Sequence, residues 1–422
     1  MERLIIRQLW NNRRKNGWIL IELILVTYFL WGVMDPIYVL LSNKNIDEGY
    51  ETKGAYCLMI GEYLSSHNRY RKDQDQDSIK RLNFLRIFDE VSHYPNVKTA
   101  VITFDKSFPN SWSYTGSVIH YDTLSYQIQF MKYYRGTDFF GTFGVPNTGS
   151  ERGQPSTNSC LAISEDGAKR FFGIPEKAIG KSVWTNDSTK MYSIVNVFTD
   201  FKVLSTQPPK PLALMPLDEL QLNNMPYSAQ ICFRTIEGIS PRTFIEKFKN
   251  EMSSRMEKGN YYFISLKDFD TIRAEDEDMS GTTNTLRLQS ALITFFLLCT
   301  FLGVAGTFWL RANARREEIG LRMALGSTRL NIRYQFFFES WLLTTIAWCV
   351  GLIIVIQRVY HDGFAFPTRE GNPDLLQNQA IPHFIIVSML VYFLLVLIAA
   401  IGTWIPAARA AAVNPVEALG DE

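Results

Sequence analysis

The hydrophobic positions of this chain gather into four blocks, one near the start and three in the last third. Residues 288–310, LQSALITFFLLCTFLGVAGTFWL, hold no charge, and at about 1.5 Å per residue they reach roughly 35 Å, enough to cross a bilayer with some tilt. Residues 336–357 carry one acid, Glu339, near their start, and residues 384–405 carry none, so both predict further crossings. The opening block, residues 18–41, follows Arg3, Arg7, Arg13, Arg14 and Lys15 and is broken by Glu22 near one end and by Asp35 and Pro36 toward the other. It has neither the short apolar core nor the small-residue cleavage site of a signal peptide, which predicts an uncleaved span. Leu4, Ile5, Leu9 and Trp10 among the arginines predict an amphipathic helix on the membrane surface within residues 1–17. Glu22 and Glu339 lie near the ends of their spans, which predicts structural acids that reach the interface or pair with an arginine.

Between the first two blocks, residues 42–285 show a different pattern, with short β-rich runs and helical spacings. Ile79, Leu82, Leu85, Phe88 and Val91 recur every three residues and predict an amphipathic helix, and VKTAVITF from Val97 predicts a strand after the break at Pro95 and Asn96. Further strands are predicted from Ser117, Ser125, Met191 and Ala229. Ser240 and Pro241 cap and start a helix with an apolar stripe of Phe244, Ile245, Phe248 and Met252. The aromatic strip of Trp112, Tyr114, Tyr121, Tyr126, Phe130, Tyr133, Tyr134 and Phe143 suits a sheet core better than a docking surface. The expected fold class is a membrane protein: four transmembrane α-helices plus a large α+β extracytoplasmic domain, of one or two lobes, inserted between the first and second spans.

Charge sets the orientation. Residues 311–335 hold Arg311, Arg315, Arg316, Arg322, Arg329 and Arg333 against Glu317 and Glu318, whereas residues 358–383 hold only Arg358 and Arg369. The bias of basic residues in short loops places residues 311–335, the tail 406–422 and the N-terminus in the cytoplasm. Within this loop residues 312–325 read as a helix stopped by Gly326, with Ser327 capping the next one. Ala312, Arg315, Arg316, Ile319 and Met323 fall on a mixed apolar and basic face. That composition suits an interfacial helix holding lipid phosphates as well as a lever pushed by a cytoplasmic partner.

Composition acts mainly by exclusion. A net charge of +1 gives no reason to expect nucleic acid. The five histidines lack paired-ligand spacing, and no nucleophile elbow or EF-hand loop occurs, so no catalytic, metal or cofactor-binding residue is expected. Gly180, Lys181 and Ser182 spell the end of a phosphate-binding loop, but Pro175 stands where that loop needs a glycine, which leaves Gly180 as a turn. Glu275, Asp276, Glu277 and Asp278 predict a solvated linker before the second span. Cys57, Cys160 and Cys232 show no metal-ligand or redox spacing, and whether two of them form a disulfide stays open.

EEIGLRMALGSTRLNI, residues 317–332, resembles the signature after the second span in MacB/FtsX-type ABC transporter permeases, the mechanotransmission family. IPAARAAAVNPVEALGDE, residues 405–422, is similar to that family's closing motif, and residues 162–201 resemble the periplasmic core domain of MacB-type permeases. The resemblance implies ATPase-coupling positions at Glu317, Glu318, Ile319, Gly320, Leu321, Arg322, Leu325 and Gly326, and tail positions Pro406, Arg409, Pro415 and Glu417 beside the same contact or the inner leaflet. It also implies a non-catalytic permease subunit of a bacterial inner membrane. A separate ABC ATPase subunit would use ATP and Mg, and a second permease subunit, membrane lipids and in some members a periplasmic adaptor and outer-membrane channel would be partners. The implied activity is efflux or extraction of a peptide, antibiotic, lipid or lipoprotein; the alternative is FtsX-like signalling to a cell-wall hydrolase. The first span is bulkier than the family's, with Trp18, Tyr28, Phe29 and Trp31.

Overall fold

Helix α1 (Arg13–Asn45) contains the first apolar block and, at about 1.5 Å per residue, reaches about 50 Å, longer than a bilayer core. The computed structural model describes residues 13–111, 115–146, 160–185, 191–217, 228–363 and 380–412. The chain divides into two units, Asn43–Gly281 on one side and Met1–Ser42 with Thr282–Glu422 on the other.

The inserted unit contains β1 (Ala55–Glu62), α2 (Asp77–Ser92), β2 (Val97–Phe104), β3 (Thr115–Tyr121), β4 (Leu124–Tyr134), α3 (Phe139–Phe143), β5 (Cys160–Ser164) and α4 (Glu165–Phe172). It continues with β6 (Ser182–Thr185), β7 (Met191–Phe198), β8 (Leu212–Leu217), β9 (Ala229–Thr235), α5 (Pro241–Met252), β10 (Tyr261–Asp268) and α6 (Phe269–Met279). Among the described residues its ten strands run in the order β10-β1-β9-β2-β4-β3-β6-β7-β5-β8, and β8 pairs back onto β4 in parallel. Strands β4, β3, β6, β7, β5 and β8 therefore close a ring, and the rest extend from it as an antiparallel sheet. At the far edge β1 and β10 are antiparallel, with Tyr56 opposite Asp268, so the chain enters and leaves the unit side by side. That placement suits insertion between two consecutive spans.

Three cores hold this unit. Helices α2 and α5 cover one face of the sheet, where Phe84, Ile87, Phe244 and Phe248 pack on Tyr56 and Phe233. Phe139, Phe143, Phe198, Phe201 and Phe269 fill the other face, and Ile119, Phe130, Ile163, Phe171 and Ile194 form the ring's own core. Each fully buried side chain of this size contributes about 1.5–3 kcal/mol of transfer free energy. Helix α2 differs from the expected stripe: Phe84, Ile87 and Val91 are buried while Leu82 is 48% exposed. Ser240 is the N-cap of α5 with Pro241 at its first turn, but its side chain makes no capping bond. Phe130 and Tyr133 of the aromatic strip are buried, and Tyr121, Tyr126 and Tyr134 pack against the cores; Trp112 and Tyr114 lie outside the described residues. Gly180 adopts φ +82° in a turn.

The membrane unit adds α7 (Thr282–Ala314), α8 (Arg316–Ala324), α9 (Arg329–Asp362) and α10 (Ala380–Ala410) to α1. Helices α1, α7, α9 and α10 are long and apolar enough to cross a membrane. They exceed the apolar blocks because flanking polar turns, such as Thr282–Arg287, continue the helix. Leu302, Ile353 and Phe393 stand exposed on them, as surfaces that face lipid or partner helices do. Close approaches come from glycines: a Cβ at Gly351 would lie 2.8 Å from Thr27, and one at Gly402 would lie 3.3 Å from the Phe301 carbonyl. The bulky Trp31 of α1 is accommodated in the interior, its Nε1 donating to Ser388 Oγ at 3.2 Å. Asp35 and His383 form a buried contact of 2.5 Å between α1 and α10.

Candidate functional site

The eight positions at residues 317–326 lie on a tight elbow between α7 and α9. Helix α7 runs to Ala314, Arg315 leaves helical geometry at φ −113° and ψ 17°, and α8 starts at Arg316, not at Ala312 as the composition predicts. Gly326 closes α8 with φ +97°, its N–H donating to Met323 O at 3.0 Å, while Ser327 N–H returns to Arg322 O at 2.9 Å. The cap of α9 is Thr328, not Ser327: its hydroxyl accepts from Asn331 N–H at 3.3 Å.

One side of α8 is anchored. Ile319 and Gly320 are buried, and Ile319 packs in a cluster with Phe308, Ala312, Ile332 and Phe336. A polar network fastens the same side. Arg315 Nη1 donates to both oxygens of Glu339 at 2.9 and 3.2 Å, and Glu339 is 1% exposed inside α9. Gln335 Nε2 donates to Glu339 at 3.3 Å, Arg322 Nη1 donates to Gln335 Oε1 at 2.8 Å, and Arg322 also pairs with Glu318. Glu339 is thus an acid paired with an arginine, whereas Glu22 lies against α7, where a Cβ at Gly303 would meet its carboxylate.

The other side of α8 is exposed. Glu317, Leu321 and Leu325 recur every four residues along it, Leu321 at 51% and Leu325 at 80% exposure. Beside the elbow a cleft of about 350 Å³ is lined by Trp309, Asn313, Arg316, Pro406 and Arg409, with the Arg409 guanidinium 4.5 Å over the Trp309 ring. The structure therefore brings Pro406 and Arg409 beside Arg316; Pro415 and Glu417 lie outside the described residues, as do residues 1–12 of the expected amphipathic segment 1–17, whose residues 13–17 are the first turn of α1.

A second cluster, which the sequence did not signal, surrounds the two points where the chain enters and leaves the inserted unit. Lys202 is fully buried, and its ammonium donates to Asn43 O at 2.7 Å, which also accepts the Ile46 N–H at 3.2 Å, and to Ile46 O just past the end of α1. Burial pushes the Lys202 pKa down from its ordinary value. Lys44 pairs with Glu277 at 2.7 Å and Arg273 with Glu48 at 2.6 Å, tying the entering segment to α6. The acidic run is accordingly helix, not a solvated linker: Glu275 pairs with Lys267, Asp276 is buried, and Glu277 also accepts from Ser205 Oγ at 2.9 Å. Burial, reinforced by the charge of Glu277, pushes the Asp276 carboxyl up to about 7. The stretch 162–201 feeds this cluster, since Asp200 accepts from Asp166 N–H at 2.8 Å at the start of α4 and thereby positions Phe201 and Lys202.

Among the described residues no group of three or more His, Cys, Asp and Glu side chains forms a metal site. Comparison with known proteins places residues 290–415 in the family described as FtsX-like permease C-terminal. The macrolide export ATP-binding/permease protein MacB of Campylobacter jejuni is 28% identical over 190 residues, covering 43% of this chain and 28% of that protein. The MacB of Haemophilus ducreyi is 24% identical over 264 residues, covering 62% of this chain and 35% of that protein. The chain thus spans about a third or less of the length of these relatives. The solved periplasmic region of MacB from Actinobacillus actinomycetemcomitans aligns with 56% of this chain and 98% of its own at 12% identity and a TM-score of 0.34.

Proposed function

We propose, from the premise that this chain is a MacB/FtsX-type ABC transporter permease, that it converts ATP hydrolysis by a separate ATPase subunit into movement of its inserted domain. In this proposal the elbow and both termini are cytoplasmic, the chain sits in a bacterial inner membrane, and two permease subunits flank two ATPase subunits. ATP and Mg are used on the partner. Its closure pushes α8, and α7 and α9 carry the displacement to the outer side. The extent of the inserted unit, Asn43–Gly281, supports efflux or extraction of a substrate over signalling alone.

The observation that carries the proposal is the division of α8 into an anchored face and an exposed one. A lever needs a rigid attachment and a surface for a partner to grip. Ile319 and the Glu318–Arg322–Gln335–Glu339–Arg315 network supply the attachment, and Glu317, Leu321 and Leu325 supply the grip. The test is co-purification with a cognate ABC ATPase subunit. Leu321→Asp with Leu325→Asp is expected to lower association by about tenfold or more, the effect of losing about 1.4 kcal/mol, and to abolish permease-dependent ATP turnover, with thermal stability unchanged. Glu318→Lys, which sets a cation against Arg322, is expected to uncouple turnover. Unchanged association and turnover in all of these variants rejects the assignment, and a cysteine at position 321 that labels only from outside the cell rejects the orientation.

A further inference from the structure

We infer that Cys57 and Cys232 are joined by a disulfide in the mature protein, a covalent staple between β1 and β9. The inference rests on the extracytoplasmic placement of the inserted unit proposed above, where thiols meet an oxidising environment. Cys57 stands directly opposite Cys232 in the antiparallel register, between the pairs Tyr56/Phe233 and Leu58/Ile231. Thr235 N–H donates to Gly54 O at 2.8 Å, so Gly54 and Thr235 occupy a hydrogen-bonded position of the ladder. Bonded and non-bonded positions alternate in such a ladder, which makes Tyr56/Phe233 bonded and Cys57/Cys232 non-bonded. Non-bonded pairs hold their Cα atoms about 4.5 Å apart, inside the range of about 4.4–6.8 Å that a disulfide spans. Both side chains lie in the same core on one face of the sheet. Cys160 sits on β5 opposite Ser193, on the ring, and takes no part.

The chemistry is a thiol–disulfide exchange with a dithiol oxidase of the export compartment. One cysteine thiolate attacks the oxidase disulfide and releases one oxidase thiol. The second cysteine then attacks the mixed disulfide, which forms the Cys57–Cys232 bond and releases the other oxidase thiol. Two electrons and two protons pass to the oxidase. Cys57 and Cys232 are at most 1% exposed, and burial raises the Cys232 thiol pKa, so the exchange belongs to the stage when the strands have paired and the core is still open. The staple fixes β1, which follows the first span, to β9, which also pairs with β2 inside the sheet.

Full-length protein exported normally and purified without reductant is denatured in an alkylating reagent, digested and mapped by mass spectrometry. The expected result is a linked peptide pair containing Cys57 and Cys232 that disappears on prior reduction, with Cys160, Cys299 and Cys349 alkylated. A Ser66→Cys variant on an exposed turn reports the compartment in intact cells through a membrane-impermeant maleimide. Alkylated Cys57 and Cys232, in cells where Ser66→Cys labels from outside, overturn the disulfide and leave the topology standing. A bridge to Cys160 overturns the pairing. Ser66→Cys reachable only after lysis overturns the orientation and the disulfide together.

Discussion

Glu339 lies in an apolar helix at 1% exposure, where an unpaired carboxylate costs several kcal/mol of desolvation. Arg315 and Gln335 meet that cost with three hydrogen bonds. Glu339→Leu leaves the Arg315 guanidinium half-buried without its counter-ion and is expected to destabilise the membrane unit by about 3–5 kcal/mol, whereas Arg315→Met with Glu339→Met restores most of the loss. Thermal unfolding in detergent checks both. Asp276 responds to pH in the opposite sense to a paired acid. Its folded-state pKa, about 7, lies above the ordinary 3.8, so its protonated form is the one the fold favours. Stability from this group is full below about pH 4 and is lost as pH rises through 7. Asp276→Asn is therefore expected to raise the unfolding temperature at pH 8, by an amount worth on the order of 1–3 kcal/mol, and to have little effect at pH 4. The lone acid of the third span was visible in the sequence; its partner among six arginines was not, because pairing across 24 residues is a property of the folded elbow.

Helix ends decide what the elbow can do. Gly326 holds φ +97°, and a Cβ there would meet no atom within 4 Å, so Gly326→Ala strains only the backbone. It is expected to cost about 1–2 kcal/mol and to weaken coupling to ATP turnover, measured together by unfolding and ATPase assays. The stop at Gly326 was legible because glycine favours left-handed geometry; the start was not, since Ala312 to Ala314 carry α7 on, and Arg315 breaks the run while binding Glu339. Helix α2 gives the same lesson. Positions three apart turn by about 300°, so a stripe from Ile79 to Val91 drifts by about 240° and cannot share one face. The buried set Phe84, Ile87 and Val91 follows the 3.6-residue period instead.

Residues 43–281 carry three cores and a ten-stranded sheet of their own. Expressed alone, they are expected to fold and unfold cooperatively, as circular dichroism would show. A fragment starting at residue 55 removes Asn43, Ile46 and Glu48, leaves Lys202 buried without acceptors, and is expected to unfold at a lower temperature. Equal stability of the two fragments would show that the cluster around Lys202 carries none of the unit's stability.

Local pattern was enough for the four spans, the inserted α+β unit and the basic elbow, because span length, strand alternation and arginine bias are written over a few tens of consecutive residues. Tertiary structure alone decided which arginine meets Glu339, that β8 returns to β4 to close a ring, that Lys202 caps the end of α1, and that Cys57 faces Cys232. Each of these joins residues far apart in the chain. Such pairs are selected by the free energy of burying charge and apolar surface together, which no short window of sequence contains.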